Sequence, residues 1–144
     1  MQSMSENDSM MDENLLLDAA REARMKAYAP YSRFLVGAAI LDDQGKLHKG
    51  CNVENVAYPQ GTCAEAGAIA AMILAEGRQI KAIAVVGDSP DPVTPCGGCR
   101  QKIREFAEPT IPILIGDLKQ LRLRQTLADL LPYSFGPEYL LNEP

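Results

Sequence analysis

The segment that most restricts the possible folds is residues 80–86, IKAIAVV, which is apolar except for Lys81. A short and almost continuously apolar strand of this kind occurs inside a sheet that is covered on both faces. The preceding segment, residues 63–76, reads CAEAGAIAAMILAE and is apolar almost all round, so it predicts a helix that is buried on most sides. Together the two segments predict an α/β fold with a covered central sheet.

The rest of the chain extends this pattern. Strands at residues 34–41 and 46–53 flank the turn residues Asp42-Asp43-Gln44-Gly45, which predicts a hairpin. The other predicted elements are helices at residues 13–28, 96–107 and 126–131 and strands at residues 111–115 and 121–123. Alternating strands and helices require crossover connections, so we expect a three-layer α/β/α sandwich around a mixed sheet of about five strands.

The first twelve residues differ from the remainder. They are polar, rich in Ser, Asn, Asp and Met, and without periodicity, which predicts a flexible arm at residues 1–12. Residues 13–144 contain no internal repeat or linker, so we expect them to form one domain.

Charge and hydropathy limit the partners of the chain. Its net charge of −5 argues against a nucleic-acid partner, because such binding depends on Lys and Arg neutralising phosphates. The start, MQSMSENDSMMDEN, lacks the basic and apolar regions of a secretion signal, and no apolar run approaches the roughly 20 residues that cross a bilayer. We therefore expect a cytoplasmic protein with reduced thiols, a small-molecule partner and no membrane attachment.

Three of the four cysteines are candidate metal ligands. Cys96 and Cys99 form a C-x-x-C pair, a spacing found in redox pairs as well as in zinc sites. Cys63 and Cys96 begin predicted helices, whose N-termini favour the thiolate that zinc requires. We interpret Cys51 as a small buried residue and His48 as an exposed side chain beside a turn. Three ligands leave one position of zinc open, which is typical of catalytic sites.

Glu65 has two interpretations. Thr62-Cys63-Ala64-Glu65 matches a capping box, in which the glutamate folds back onto the N–H of the cap residue. Alternatively, Glu65 is a catalytic carboxylate, because it follows a candidate ligand by two residues and could move a proton between water and a leaving group. The neighbouring cysteines favour the catalytic interpretation.

Cys63-Ala64-Glu65 followed by Pro95-Cys96-Gly97-Gly98-Cys99 resembles the signature of the zinc nucleoside and base deaminases. With Cys as the first ligand, the chain resembles the homotetrameric cytidine deaminases in particular. Further similar segments are residues 27–32, 34–38, 50–55, 99–101, 130–132 and 134–138. The resemblance implies the cytidine deaminase fold, one Zn²⁺ per chain held by three cysteines, and a homotetramer with sites at subunit interfaces.

The resemblance also implies how substrate is held. Asn52 and Glu54 match residues that bind the ribose hydroxyls, and Phe34 matches an aromatic ring that packs on the pyrimidine. The main-chain N–H of Ala64 matches a donor to the base carbonyl. Phe135 matches an aromatic residue that is supplied to the site of a neighbouring subunit.

The implied reaction is hydrolysis of cytidine or 2'-deoxycytidine at C4, with Glu65 moving the protons. Its products are ammonia and uridine or 2'-deoxyuridine. Arg100 matches an arginine that offsets the charge of the thiolates. One position departs from the pattern, because many relatives have Arg directly after this glutamate where the present chain has Ala66. Three thiolates give the zinc site a net charge of about −1, so a missing cation weakens its Lewis acidity.

Three alternatives remain open from the sequence. One is deamination of a cytosine nucleoside analogue such as blasticidin S, although the segment Asn52-Val53-Glu54-Asn55 favours a plain ribose or deoxyribose. A second is cytosine editing in RNA or DNA, which the acidic charge opposes. A third is a non-catalytic module that zinc stabilises.

Overall fold

A five-stranded mixed sheet forms the centre of the molecule. The computed structural model describes the backbone of residues 6–141 and the side chains of residues 12–141. The strands are β1 (Val36–Asp42), β2 (Leu47–Cys51), β3 (Ile80–Gly87), β4 (Pro112–Gly116) and β5 (Leu121–Thr126). Their order is β2-β1-β3-β4-β5, in which β3 and β4 are parallel and the other neighbours antiparallel. The predicted mixed α/β sheet is confirmed.

Helices cover both faces of this sheet. The helices are α1 (Glu6–Arg24), α2 (Ala64–Leu74), α3 (Gly97–Glu105), α4 (Leu127–Leu130) and α5 (Glu138–Leu141). Successive strand residues point to opposite faces, and they divide between two cores. Ile40, Ile83 and Ile113 pack with α2 and α3, whereas Ala39 and Ala84 pack with α1. The expected three-layer arrangement is therefore present.

Two glycines allow α1 and α2 to lie very close to the hairpin. A Cβ at Gly37 of β1 would lie 1.9 Å from the carbonyl oxygen of Ala20 in α1. On the opposite face, a Cβ at Gly50 of β2 would lie 2.2 Å from the amide nitrogen of Ala68 in α2. Any side chain at either position would push a helix away from the sheet. This close approach fixes α2, and with it the start of α2, relative to the sheet.

The ends of α1 differ from the prediction. The helix begins at Glu6, within the expected arm, and residues 1–5 lie outside the described part. A lack of apolar periodicity shows that a segment has no buried face, and it does not prevent the segment from being helical. The helix ends at Arg24 instead of Tyr28, because the Tyr28 N–H donates to the Asn52 carbonyl at 3.0 Å. No helix in the described residues is long and apolar enough to cross a membrane.

His48 is buried, so the prediction of an exposed histidine was wrong. Its Nε2 lies 2.7 Å from Oδ2 of Asp42, which is also buried. The other carboxylate oxygen accepts hydrogen bonds from the N–H groups of Gln44 and Lys46 at 2.8 and 2.9 Å. The sequence around His48 is charged and suggests exposure, but the alternation of β2 turns this side chain towards α2. Asp42 therefore ties the β1–β2 turn to the second strand.

We expect Asp42→Asn to lower the free energy of unfolding by about 1–3 kcal/mol at pH 7, since buried partners lose a charged acceptor. Burial raises the pKa of Asp42, but the hydrogen bonds from His48, Lys46 and Gln44 outweigh it, and the pKa lies below its ordinary value. A carboxyl whose pKa is lowered by folding stabilises the fold above its unfolded pKa of about 3.9. That stabilisation is lost as the pH falls through the folded pKa.

Urea unfolding of the wild type and Asp42→Asn across pH 3–7 checks this expectation. The difference in free energy should shrink below about pH 4. Asp43→Asn is the matched control, because Asp43 is the exposed neighbour in the same turn and should show a small, constant difference. An Asp42→Asn difference that stayed constant down to pH 3 would contradict the assignment.

Candidate metal and substrate site

The three predicted thiols meet where two helices begin. Cys63 is the N-cap residue of α2, Cys96 is the N-cap residue of α3, and Cys99 lies in the first turn of α3. Their sulfur atoms all lie within 4.8 Å of one another. Around a tetrahedral Zn²⁺ with Zn–S distances of about 2.3 Å, sulfurs stand about 3.8 Å apart, so small side-chain rotations suffice. The cluster is positioned to bind one metal ion per chain.

The three thiols have different environments. Hydrogen bonds from the backbone N–H groups of Cys99 and Gly98 lower the pKa of Cys96. Burial raises the pKa of Cys63 and of Cys99, and Cys99 has no exposed surface. Thiolate is the form that binds zinc, and burial opposes its negative charge. A cation at the centre of the cluster would offset that penalty. The donor set and its surroundings therefore fit zinc.

Glu65 lies beside this cluster in the first turn of α2 and is only 4% exposed. Burial raises its pKa, while hydrogen bonds from its own N–H and from Cys99 oppose the shift. The capping-box interpretation is wrong, because the N-cap residue is Cys63 instead of Thr62 and no side chain caps the helix. The carboxyl group therefore does not fold back onto the cap residue, and Glu65 is in the wall of the neighbouring cavity.

A cavity of about 370 Å³ opens beside the thiols. Six residues singled out in the sequence are in its wall, namely Asn52, Glu54, Cys63, Ala64, Glu65 and Cys96. Residues that the sequence analysis missed complete the wall: Val36, Val53, Tyr58, Gly61, Thr62, Val85, Val93 and Thr94. Most of these are ordinary apolar or loop residues from separate segments, and no local pattern distinguishes them. Of these residues, only Tyr58 could have been identified as a candidate from the sequence, because it is an aromatic residue in a loop that also contains Pro59 and Gly61.

Asn52 and Glu54 are held by the chain next to the cavity. Asn52 Nδ2 donates to the Phe34 carbonyl at 2.8 Å, and its Oδ1 accepts from the Val36 N–H at 2.9 Å. Glu54 accepts from the Ser32 hydroxyl and from the Ser32 N–H at 3.0 Å. These bonds from Ser32 lower the pKa of Glu54, so its carboxylate is charged at neutral pH. Both side chains keep free hydrogen-bonding capacity for a ligand.

Four predicted site residues lie outside the wall of this cavity, namely the buried ligand candidate Cys99 and the three that follow. Phe34 is partly exposed, and its ring reaches Gly87, where a Cβ would lie 3.2 Å from the Phe34 Cζ. Phe135 is 56% exposed and stacks on Tyr139 with ring centroids 5.1 Å apart. Arg100 donates to the carbonyls of Pro95 and Leu130, both at 2.7 Å, and to Thr94 Oγ1 at 3.2 Å.

The family model for the "cytidine and deoxycytidylate deaminase zinc-binding region" matches residues 10–115 of this chain. The chain belongs to this family. Two relatives named cytidine deaminase are similar over almost their whole length. A cytidine deaminase of Sporosarcina psychrophila is 44% identical over 90% of this chain and 96% of its own. One from Mycobacterium tuberculosis is 41% identical over 92% and 96%.

Solved structures agree with the family assignment. The crystal structure of the cytidine deaminase from Burkholderia pseudomallei superposes with a TM-score of 0.79 at 43% identity, over 85% of this chain and 98% of that one. The cytidine deaminase from Mycobacterium tuberculosis gives a TM-score of 0.75 at 41% identity, over 87% and 98%. The cytidine deaminase-like fold expected from the sequence is thus confirmed.

We expect Cys96→Ser to reduce the bound zinc well below one ion per chain, because a hydroxyl is a far weaker zinc ligand than a thiolate. The measurement is metal analysis of freshly purified protein without chelator treatment. Cys51→Ser is the matched control, since Cys51 lies in β2 outside the cluster and should keep one zinc per chain. Equal zinc content in the two variants would refute the assignment of ligands.

Proposed function

We propose that the chain hydrolyses cytidine and 2'-deoxycytidine to uridine and 2'-deoxyuridine with release of ammonia, in pyrimidine salvage. The observation that carries this proposal is the buried Glu65 beside the three-thiol cluster, in the wall of a cavity that also contains Asn52 and Glu54. Relatives named cytidine deaminase, at 41–44% identity over most of the chain, support the same reaction.

Glu65 is the proton carrier in this proposal. Zinc held by the three cysteines supplies a Lewis acid that makes water acidic enough to serve as a nucleophile near neutral pH. Glu65 takes the first proton of that water and delivers it to N3 of the base. It then takes the second proton from the new C4 hydroxyl and delivers it to the departing ammonia, so it ends the turnover unprotonated. The raised pKa that burial gives Glu65 suits a group that must both accept and donate within one turnover.

The cavity wall orients the nucleoside. Asn52 has one N–H and one lone pair remaining after its bonds to Phe34 and Val36. The charged Glu54 keeps one lone pair beyond those used by Tyr31 and Ser32, so the pair can fix a ribose diol. The N–H of Ala64, at the start of α2, points out of the helix end and can donate to the base carbonyl. Phe34 is not in this wall, but its ring lies beside Gly87 next to the wall residue Val93, and the family resemblance supports its packing against the pyrimidine ring.

Arg100 offsets the negative charge of the site through its position beside Cys99. Its hydrogen bonds hold Thr94 and Pro95, which directly precede Cys96, so the guanidinium also fixes the loop that leads to a ligand. This second effect matters because Ala66 leaves the start of α2 without a cationic side chain.

We also propose a homotetramer with its sites at subunit interfaces, working in the cytoplasm, where thiols stay reduced. Two observations support the assembly. Phe135 projects outward instead of lining the cavity of its own chain, and the outer side of α2 exposes Ala70 and Leu74, with Leu74 88% exposed. Apolar surface of this kind is typical of a face that another copy covers.

Glu65→Gln should keep the fold and one zinc per chain while lowering kcat on cytidine by at least about 10²–10⁴-fold, because glutamine cannot carry a proton. Ammonia release or the absorbance change of cytidine measures the loss. Glu76→Gln is the control, since Glu76 is exposed beyond the end of α2 and should leave activity unchanged.

Two results would overturn the proposed reaction. Full activity in the Glu65→Gln variant would favour a zinc-stabilised module or another proton carrier. Wild-type turnover of blasticidin S with none of cytidine would show that the substrate is an analogue.

Sites that are shared between subunits should allow two defective variants to complement each other. Co-expressed Glu65→Gln and Phe135→Ala chains form some sites with an intact glutamate from one chain and an intact aromatic ring from another. The purified mixture should therefore be more active on cytidine than the average of the two variants prepared separately. Activity equal to that average would show that Phe135 serves its own chain or none.

A further inference from the structure

Arg104 of α3 is buried, with only 6% of its surface exposed. Arginine is rarely buried at this depth unless its charge and hydrogen-bond donors are fully used. The burial is therefore a strong sign that the guanidinium has a specific task. That task lies outside the metal cluster, because Arg104 is not in the cavity wall.

The guanidinium of Arg104 binds the C-terminal segment, which is defined here as residues 134–138. Its Nε donates to Ser134 Oγ at 2.9 Å, and one terminal nitrogen pairs with the carboxylate of Glu138. The other terminal nitrogen donates to the Ala107 carbonyl at 3.3 Å, just beyond the end of α3. The three guanidinium nitrogens of Arg104 therefore connect the end of α3 to both ends of the C-terminal segment.

Gly136 lies against the same guanidinium. A Cβ at Gly136 would be 2.3 Å from Arg104 Cζ, a distance that no pair of non-bonded carbons tolerates. A side chain at position 136 would have to displace the guanidinium from its acceptors on Ser134 and Glu138. The lack of a side chain at position 136 is thus a requirement of this contact.

Few other contacts hold the C-terminal segment. The helix α5 that follows has four residues and buries none of them. One further bond comes from Gln101, also on α3, whose Nε2 donates to the Phe135 carbonyl at 2.8 Å. Arg104 therefore holds a side chain on each side of Phe135, while the Phe135 ring itself remains exposed and stacked on Tyr139.

We infer that Arg104 is a positioning residue that fixes the direction in which Phe135 leaves the surface. The inference rests on the proposed function, in which Phe135 completes the substrate site of a second copy. An aromatic ring on an unanchored segment would have to be ordered each time it contacts the nucleoside, and that ordering would weaken binding. Because Arg104 holds the segment before the nucleoside binds, this ordering is not required at the binding step.

Hydrogen–deuterium exchange tests the anchoring without any reference to activity. In Arg104→Met, amides of residues 133–141 should exchange faster than in the wild type, while α2 and the sheet remain protected. Arg124→Met is the matched control, because Arg124 is a paired arginine on β5 that contacts Glu13 and should leave this segment unchanged. Unchanged exchange of residues 133–141 in Arg104→Met would overturn the inference.

Steady-state kinetics test the link to Phe135. Arg104→Met should lower kcat/KM for cytidine by about 10- to 100-fold, mainly through KM, with zinc content unchanged. Added to Phe135→Ala, it should cause little further loss, because the positioned ring is already absent. Losses that multiply in the double variant would show a general structural role and overturn the inference.

Two further variants keep the test valid if Arg104→Met folds poorly. Gly136→Ala should reproduce both effects with Arg104 intact, because the new methyl displaces the guanidinium. Arg104→Lys keeps a charge for Glu138 but loses the fork, and it should recover part of the protection and part of kcat/KM. A wild type without activity on cytidine would refute the proposed function and the catalytic consequence of the inference, and the exchange experiment would still decide whether Arg104 holds the segment.

Discussion

The site depends on the direction of the chain around β3. The helix α2 returns to the start of β3 through a short connection, so its own start lies near the carboxyl end of that strand. The helix α3 follows β3 and packs on the same face, so it also starts near that end. Parallel pairing of β3 with β4 requires this crossover. Two helix N-termini therefore meet beside Val85, and each has a cysteine as its N-cap residue.

The helix α3 connects the metal cluster to the outer surface of the chain. Its first turn contributes Cys99, and its last turn contributes Arg104, which holds the C-terminal segment. A rigid helix of nine residues thus fixes the distance between a zinc ligand and the anchor of Phe135. In the proposed assembly, the same helix that builds one site also sets the aromatic residue that completes another. This geometric link between two sites requires only packing and no conformational change.

The sequence predicts the parts of this structure that depend on local patterns. The thiols and Glu65 were predictable because each lies within one turn of a helix start. The burial of His48 and Arg104 was not, since their partners come from a neighbouring strand and from a segment about 30 residues away. Arg100 shows the same limit, because the resemblance implied a charge-offsetting role and gave no sign of its bonds to the carbonyls of Pro95 and Leu130. Pairing with other segments decides the partners of such side chains, and the hydrophobic periodicity of the sequence does not reveal those partners.

Backbone N–H groups supply positive charge to one of the three thiolates, that of Cys96. Ala66 provides no cation, and the described hydrogen bonds of Arg100 go to Thr94, Pro95 and Leu130. By contrast, N–H groups at the start of α3 lower the pKa of Cys96 directly, whereas burial raises the pKa of Cys63 at the start of α2. Helix N-termini are fixed dipoles within the fold, so they stabilise thiolate without ordering a long side chain. The absence of an arginine after Glu65 is thus compatible with a zinc site, because the start of α3 already favours an anionic ligand at Cys96.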